Sequence, residues 1–194
     1  MQMRRLFVLA CVWLSACTTL PEGPLIERQY QTAMTMGGRL SVRYQQNGQT
    51  QSLQGKFLWE QQSEQTDITL YSPLGQTIAT IAISPGLAVM AQSDGEKRQA
   101  PNVTALTQQV LGWPMPVDGL RYWLQGFVQN DDGRLLQASP DQAPGFQSNG
   151  WQVRYVSWQR RENMMYPKRV DLERSTAEAG DIVLRLVIDE WKIR

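Results

Sequence analysis

Residues 38–60 read GRLSVRYQQNGQTQSLQGKFLWE, and their period decides the fold. Leu40, Val42 and Tyr44 alternate with polar neighbours, and Leu53, Gly55, Phe57 and Trp59 alternate with Gln54, Lys56, Leu58 and Glu60. A period of two belongs to a half-buried strand, so each arm predicts a strand with one face on a core. Between the arms, Gln46-Asn47-Gly48-Gln49 supplies an Asn-Gly pair, which tolerates the positive φ of primed turns. The stretch predicts an antiparallel hairpin.

The same period continues downstream. Asp67 to Tyr71, Gln76 to Ile83 and Leu87 to Gln92 extend the meander, the last two joined by Ser84-Pro85-Gly86. At Ser72-Pro73-Leu74-Gly75 the proline and glycine make a bend, but Leu74 puts an apolar side chain where a turn usually meets water. The period then breaks. Asn102 as N-cap, Val103, Leu106, Val110 and Leu111 at helical spacing and Gly112 as stop predict a helix. A second short helix is expected with Asp118 as its cap and Leu120, Trp123 and Leu124 on its apolar face. Gly112-Trp113-Pro114-Met115-Pro116 forms a stiff link between the two. After a polar Gly/Asp/Pro-rich stretch from Gln129 to Gly150, strands resume at Trp151, Val153 and Tyr155, at Val170 and Leu172, and from Ile182 to Ile188. This pattern predicts a mainly β fold: a curved antiparallel sheet or incomplete barrel, its concave side covered by helix.

Upstream of residue 38 the character changes. Met1 to Arg5 carry positive charge, Leu6 to Leu14 form an apolar run, and Leu14-Ser15-Ala16-Cys17 closes it. The run is shorter than the roughly 20 apolar residues of a membrane span and reads as a secretory leader. The closing tetrapeptide resembles the bacterial lipobox, which implies cleavage before Cys17 and acylation of that residue; a plain leader with an incidental cysteine is the alternative. Thr18 is not the aspartate associated with inner-membrane retention, so an outer-membrane address follows, lipid-anchored and facing the periplasm. The expected organisation is a signal peptide over 1–16, a lipidated N-terminus and Pro/Gly tether over 17–24, and one β-barrel domain over 25–194. Leu25, Ile26, Tyr30 and Ala33 suggest a short amphipathic helix at the start of that domain.

Composition narrows the function. Cys11 leaves with the leader and Cys17 is consumed by lipid, so no disulfide is expected. Once Arg4 and Arg5 leave, the 19 basic residues fall to 17 against 18 acidic, which gives no electrostatic case for nucleic acid. The chain contains 0 histidines, which removes Ser-His-Asp hydrolysis and His-based metal sites; no phosphate-cradling glycine loop is present. Asp131-Asp132 is the obvious carboxylate pair, and its place before Gly133 in a polar loop reads as a solvated turn. Neither an enzyme nor a cofactor or metal is expected. The 7 Trp and 8 Met are conspicuous instead. Broad apolar rings beside adaptable thioethers suit a cavity for a flexible lipid ligand, and equally a well-filled core.

Several segments together resemble the LolB family of outer-membrane lipoprotein receptors. They are Gly38-Arg39-Leu40, Phe57-Leu58-Trp59-Glu60-Gln61, Ser72-Pro73-Leu74-Gly75, Leu111-Gly112-Trp113-Pro114-Met115-Pro116, Leu120 to Gly126, Trp151 to Tyr155 and Tyr166-Pro167. The resemblance implies an open antiparallel β-barrel of about eleven strands with a helical lid over a hydrophobic cavity. It implies a monomeric receptor that accepts acylated lipoprotein cargo from the periplasmic carrier LolA and places it in outer-membrane lipid. It also implies a membrane-insertion loop at Pro73, Leu74 and Gly75, with the exposed leucine at Leu74. Phe57, Trp59, Ile81, Leu106, Val110, Trp123 and Trp151 are the expected acyl-chain lining, although alternation alone does not tell which face is concave. Two other readings stay open: a lipoprotein that braces an envelope assembly without binding acyl chains, and a hydrolase built on carboxylates.

Overall fold

The computed structural model describes residues 24–46, 48–130, 132–142 and 145–193. The leader, Cys17, the tether up to residue 23, Asn47 and Asp131 lie outside the described residues. The strands are β1 (Ala33–Gln46), β2 (Gln49–Gln62), β3 (Gln65–Tyr71), β4 (Thr77–Ser84), β5 (Leu87–Gln92) and β6 (Lys97–Ala100). Two helices follow, α1 (Val103–Leu111) and α2 (Val117–Trp123). The remaining strands are β7 (Phe127–Gln129), β8 (Leu135–Gln137), β9 (Gly145–Ser148), β10 (Trp151–Arg161), β11 (Met164–Thr176) and β12 (Gly180–Ile193). Ten strands form one antiparallel sheet in the order β6-β5-β4-β3-β2-β1-β12-β11-β10-β9, and β7 pairs with β8 as a separate ribbon. Strands β6 and β9 do not pair with each other, so the barrel is open, and the helical insertion bridges the gap: α1 packs on β5 and β6, α2 on β7, and β7 on β9.

The hairpin of residues 38–60 is the middle of this sheet. β1 pairs with β2 from Ala33↔Gln62 to Gln46↔Gln49 and with β12 on its other side, joining the two ends of the domain. Met34, Met36, Val42 and Tyr44 of β1 face inward with Phe57 and Trp59 of β2 and Ile182, Leu184, Leu186 and Ile188 of β12. Asp189 is the extra residue of a bulge between Gly37 and Gly38, and it shifts the parity of β12 so that Trp191 also turns inward. Two glycines let the sheet coil tightly. A Cβ at Gly38 would stand 2.1 Å from the Val187 carbonyl oxygen, and one at Gly55 2.3 Å from that of Tyr71.

Twelve strands agree with the open barrel of about eleven that the resemblance implies, and the polar stretch after Gln129 contains the short strands β8 and β9. Three or four residues of mixed polarity carry too little period to be seen in sequence. The expected helix over Leu25 to Ala33 is not formed. Residues 24–31 form a strap with neither helix nor strand, and Ala33 already belongs to β1. Leu25 and Ile26 are exposed, whereas Arg28 is buried and Tyr30 half-buried; the strict alternation of buried residues begins only at Met34 and Met36, past the exposed Thr32. α2 begins at Val117 rather than after Asp118, because Pro116 ends the stiff link; Asp118 sits in the first turn, where its charge suits the helix dipole, and makes no cap bond. α1 follows its expectation: the Asn102 side chain accepts from the Ala105 N–H at 2.8 Å, and Gly112 closes the helix at φ 80°.

Candidate functional site

Between the concave face of the sheet and the two helices lies an apolar cavity of about 320 Å³. The sheet contributes Val42, Phe57, Trp59, Ile68, Ile81, Met90, Leu184 and Leu186. One face of α1 closes it from above with Leu106 and Val110, one turn apart, and Met115, Val117, Leu120 and Leu124 follow from the link and α2. The volume is at the small end of the roughly 300–1,000 Å³ typical of ligand sites. Its polar lining is Gln54, Lys56, Gln92 and Thr107, no acidic side chain among the described residues lines it, and Leu53 and Ile78, each just under half exposed, stand at its edge.

The cover is held by packing and few bonds. Trp113, 1% exposed, is wedged against Tyr44 and Trp151 with ring centroids 5.5 and 6.4 Å away. The buried Thr107 hydroxyl donates to Val103 and accepts the Met115 N–H at 3.0 Å, tying the link back onto α1. Gln125 exchanges two bonds with the Gln31 backbone, at 2.9 and 3.1 Å.

At the far end of β3 from the Gln62–Gln65 turn, the chain reverses through Ser72–Gln76. The Gly75 N–H donates to the Ser72 carbonyl at 2.9 Å, and Gly75 takes φ 90°, which only glycine adopts without strain. A Cβ there would meet nothing within 4 Å, so the glycine serves backbone conformation and not space. Leu74 at the tip is 90% exposed, far more than any other large apolar residue among those described.

Residues 32–191 match the family described as "Outer membrane lipoprotein LolB". The chain belongs to the LolB family. Proteins named outer-membrane lipoprotein LolB from Cupriavidus necator and Cupriavidus taiwanensis are 35% and 36% identical to it, covering 91% and 78% of this chain and 89% and 77% of their own. One from an Azoarcus species is 33% identical over 98% of this chain and 96% of its own. Among solved structures, a LolA superfamily protein from Nitrosomonas europaea covers 82% of this chain and 86% of its own at 10% identity, with a TM-score of 0.43, too loose a likeness to carry an argument.

Of the lining expected from the LolB resemblance, the cavity brings together Phe57, Trp59, Ile81, Leu106 and Val110. Trp123 and Trp151 are buried at 1% but lie outside it. Trp123 packs on Gly119, where a Cβ would come within 2.5 Å of its ring, and Trp151 stacks on Trp113 with the Arg174 guanidinium over it. These two rings brace the helices and do not face the space. Leu184, Leu186, Val117 and Leu120 line the cavity without having been singled out in sequence. Their signal was present: register pairs Leu40 with Leu186 and Val42 with Leu184, so the face of β1 fixes that of β12 once the pairing is known. No group of three or more His, Cys, Asp or Glu side chains that could hold a metal ion occurs among the described residues, and no described helix is long and apolar enough to cross a membrane.

Proposed function

We propose that this LolB-family chain is a lipid-anchored acceptor that takes lipoproteins from the periplasmic carrier LolA, shelters their acyl chains in the cavity and releases them into the outer membrane. The observation that carries this reading is the apolar space under α1 and α2, open at the edge marked by Leu53 and Ile78. Each buried CH₂ is worth about 0.8 kcal/mol, so a multiply acylated protein cannot cross water unshielded. A relay that works by binding alone must run downhill, each acceptor holding the chains better than the last and less firmly than the bilayer. A cavity of 320 Å³ is small for several acyl chains, so loading requires α1 and α2 to lift from the sheet. Their attachment through packing and a handful of bonds suits such a lid. Acylation of Cys17, outside the described residues, is part of the same proposal, with the following residues as tether.

The second part of the reading concerns Leu74. An exposed leucine that enters lipid gains about 2 kcal/mol, enough to bias docking and too little to anchor the protein. Pro73 and Gly75 build the bend that presents it. The test is transfer of a labelled lipoprotein from LolA to the mature chain carrying Cys17→Ser, followed by transfer to liposomes. Uptake followed by release supports both parts. Absence of uptake overturns the first, and normal release by Leu74→Glu overturns the second.

A further inference from the structure

The outer wall of the barrel beside the Ser72–Gln76 turn carries a charge pattern of which one member, Lys56, also borders the cavity. Lys56 of β2, Arg39 and Arg43 of β1 and Arg185 of β12 point to the outside, with Lys56 directly across from Arg39 and Ser41 across from Arg185. Arg39, Lys56 and Arg185 line a shallow groove of about 330 Å³ together with Ser41 and Gln54, and Pro73 of the turn forms part of its border. The carboxylates on this wall leave cationic charge over. Asp171, 1% exposed, is shared by Arg154, Arg169 and Arg185, Glu173 pairs with Arg154, and Asp189 is shared by Arg39 and Lys168. Lys56 and Arg43 are exposed and make no ion pair among the described residues. Toward the strap end the same wall carries three acids, Glu60, Asp67 and Glu190, against one cation, Lys192. A chain whose charge is almost balanced overall thus has a wall polarised along its strands, basic where it meets the turn that carries Leu74.

We propose that this basic groove is a docking surface for anionic lipid headgroups that sets the Leu74 turn against the bilayer. The inference rests on the reading of Leu74 as a tip that enters lipid. It adds the charge that aligns the tip: guanidinium and ammonium groups match phosphate in sign and geometry, and Pro73 makes the groove and the apolar tip parts of one surface. An anionic surface attracts the turn end and repels the strap end. The barrel therefore meets the membrane tilted, turn first.

The mature chain with Cys17→Ser keeps every described residue and is the material for the test. Flotation compares vesicles of phosphatidylcholine alone with vesicles containing phosphatidylglycerol, at low and high salt. The expected result is tighter binding to the anionic vesicles, weakened by about fivefold for each of the groove variants Lys56→Gln and Arg39→Gln. Salt should erase the preference, because the wall is exposed. With no histidine in the chain, the preference should not change between pH 6 and pH 8. Leu74→Glu should lower binding to both vesicle types, whereas the two Gln variants lower only the difference between them, so failure of the tip reading and failure of the groove are told apart. Equal binding of the parent chain to both vesicles, or a preference that survives the double variant, overturns the proposal. So does a double variant that binds vesicles normally but loses uptake from LolA, which would make the groove a protein dock.

Discussion

At one end of β3 the N-terminal strap is fastened by fixed bonds, and at the other Leu74 stands with almost nothing around it. The Ile26 N–H donates to the Asn163 carbonyl at 2.7 Å, and Arg28 is buried among the carbonyls of Gly126, Ala138 and Met165. Its guanidinium also lies 5.1 Å from the Trp158 ring centroid and 5.9 Å from that of Phe127. Burial lowers its pKa, with the Tyr155 and Tyr166 hydroxyls opposing the shift. A cation with no carboxylate partner among the described residues is tolerated there because three carbonyl dipoles and two ring faces replace water. The turn end invests in no such contacts: Gly75 and Pro73 shape the backbone and Leu74 remains uncovered. The contrast teaches where the barrel is closed by buried bonds and where a large apolar side chain is left uncovered.

The largest expected effect comes from breaking the closed end. Arg28→Met leaves three buried carbonyls short of a charged donor and should cost about 3 kcal/mol of stability, read as a lower denaturant midpoint at unchanged slope. A midpoint equal to that of the parent chain would show the strap to be incidental. Leu74→Glu, at the open end, should leave the midpoint within about 0.5 kcal/mol while weakening vesicle binding by about 2 kcal/mol. Co-measured denaturation and flotation check both halves. If that variant is instead markedly destabilised, the turn belongs to the core and the contrast fails.

Acid sharpens the same comparison through the wall between the two ends. Burial pushes the Asp171 carboxyl up, but the Arg169 hydrogen bond and the charges of Arg169 and Arg185 outweigh it and hold the group below the usual carboxylate range. A lowered folded-state pKa adds stability that is fully present above the unfolded value, near pH 4, and is lost as pH falls through the folded value. Asp171→Asn should therefore flatten stability against pH below about pH 4, at a neutral-pH cost of about 2 kcal/mol, and equal acid slopes for the two proteins would contradict this account. The smallest effect belongs to Gly75→Ala. The added methyl meets open space, so only the φ of 90° is strained, worth about 1 kcal/mol in thermal unfolding.

Much of this architecture was legible in the sequence. Period two located the long strands, Asn102 and Gly112 bounded α1, and the oddity of a leucine between Pro73 and Gly75 marked the turn, which the family resemblance then implied to be an exposed tip. The strap was misread because Leu25, Ile26, Tyr30 and Ala33 fit a helical spacing, while the residue that holds it, Arg28, is a charged side chain that hydrophobic patterns discount. Lining residues were half legible: Phe57 and Trp59 share the face of the cavity, but Trp123 and Trp151 look equally apolar in sequence and serve as braces. Telling a wall from a brace needs the crossing of α1 and α2 over the sheet, which is tertiary information. The basic outer wall was hidden for the same reason, since its charges come from strands far apart in the chain and meet only through the β2-β1-β12-β11 order.

The central claim is that the space beneath α1 and α2 holds acyl chain. The most direct measurement is the uptake of an acylated lipoprotein from LolA by the mature chain with Cys17→Ser, compared with the same chain carrying Val110→Trp, which fills the cavity from the lid side. The account predicts transfer to the first and at least about tenfold less to the second, with both proteins folded by near-ultraviolet circular dichroism. Equal uptake by the two would contradict it.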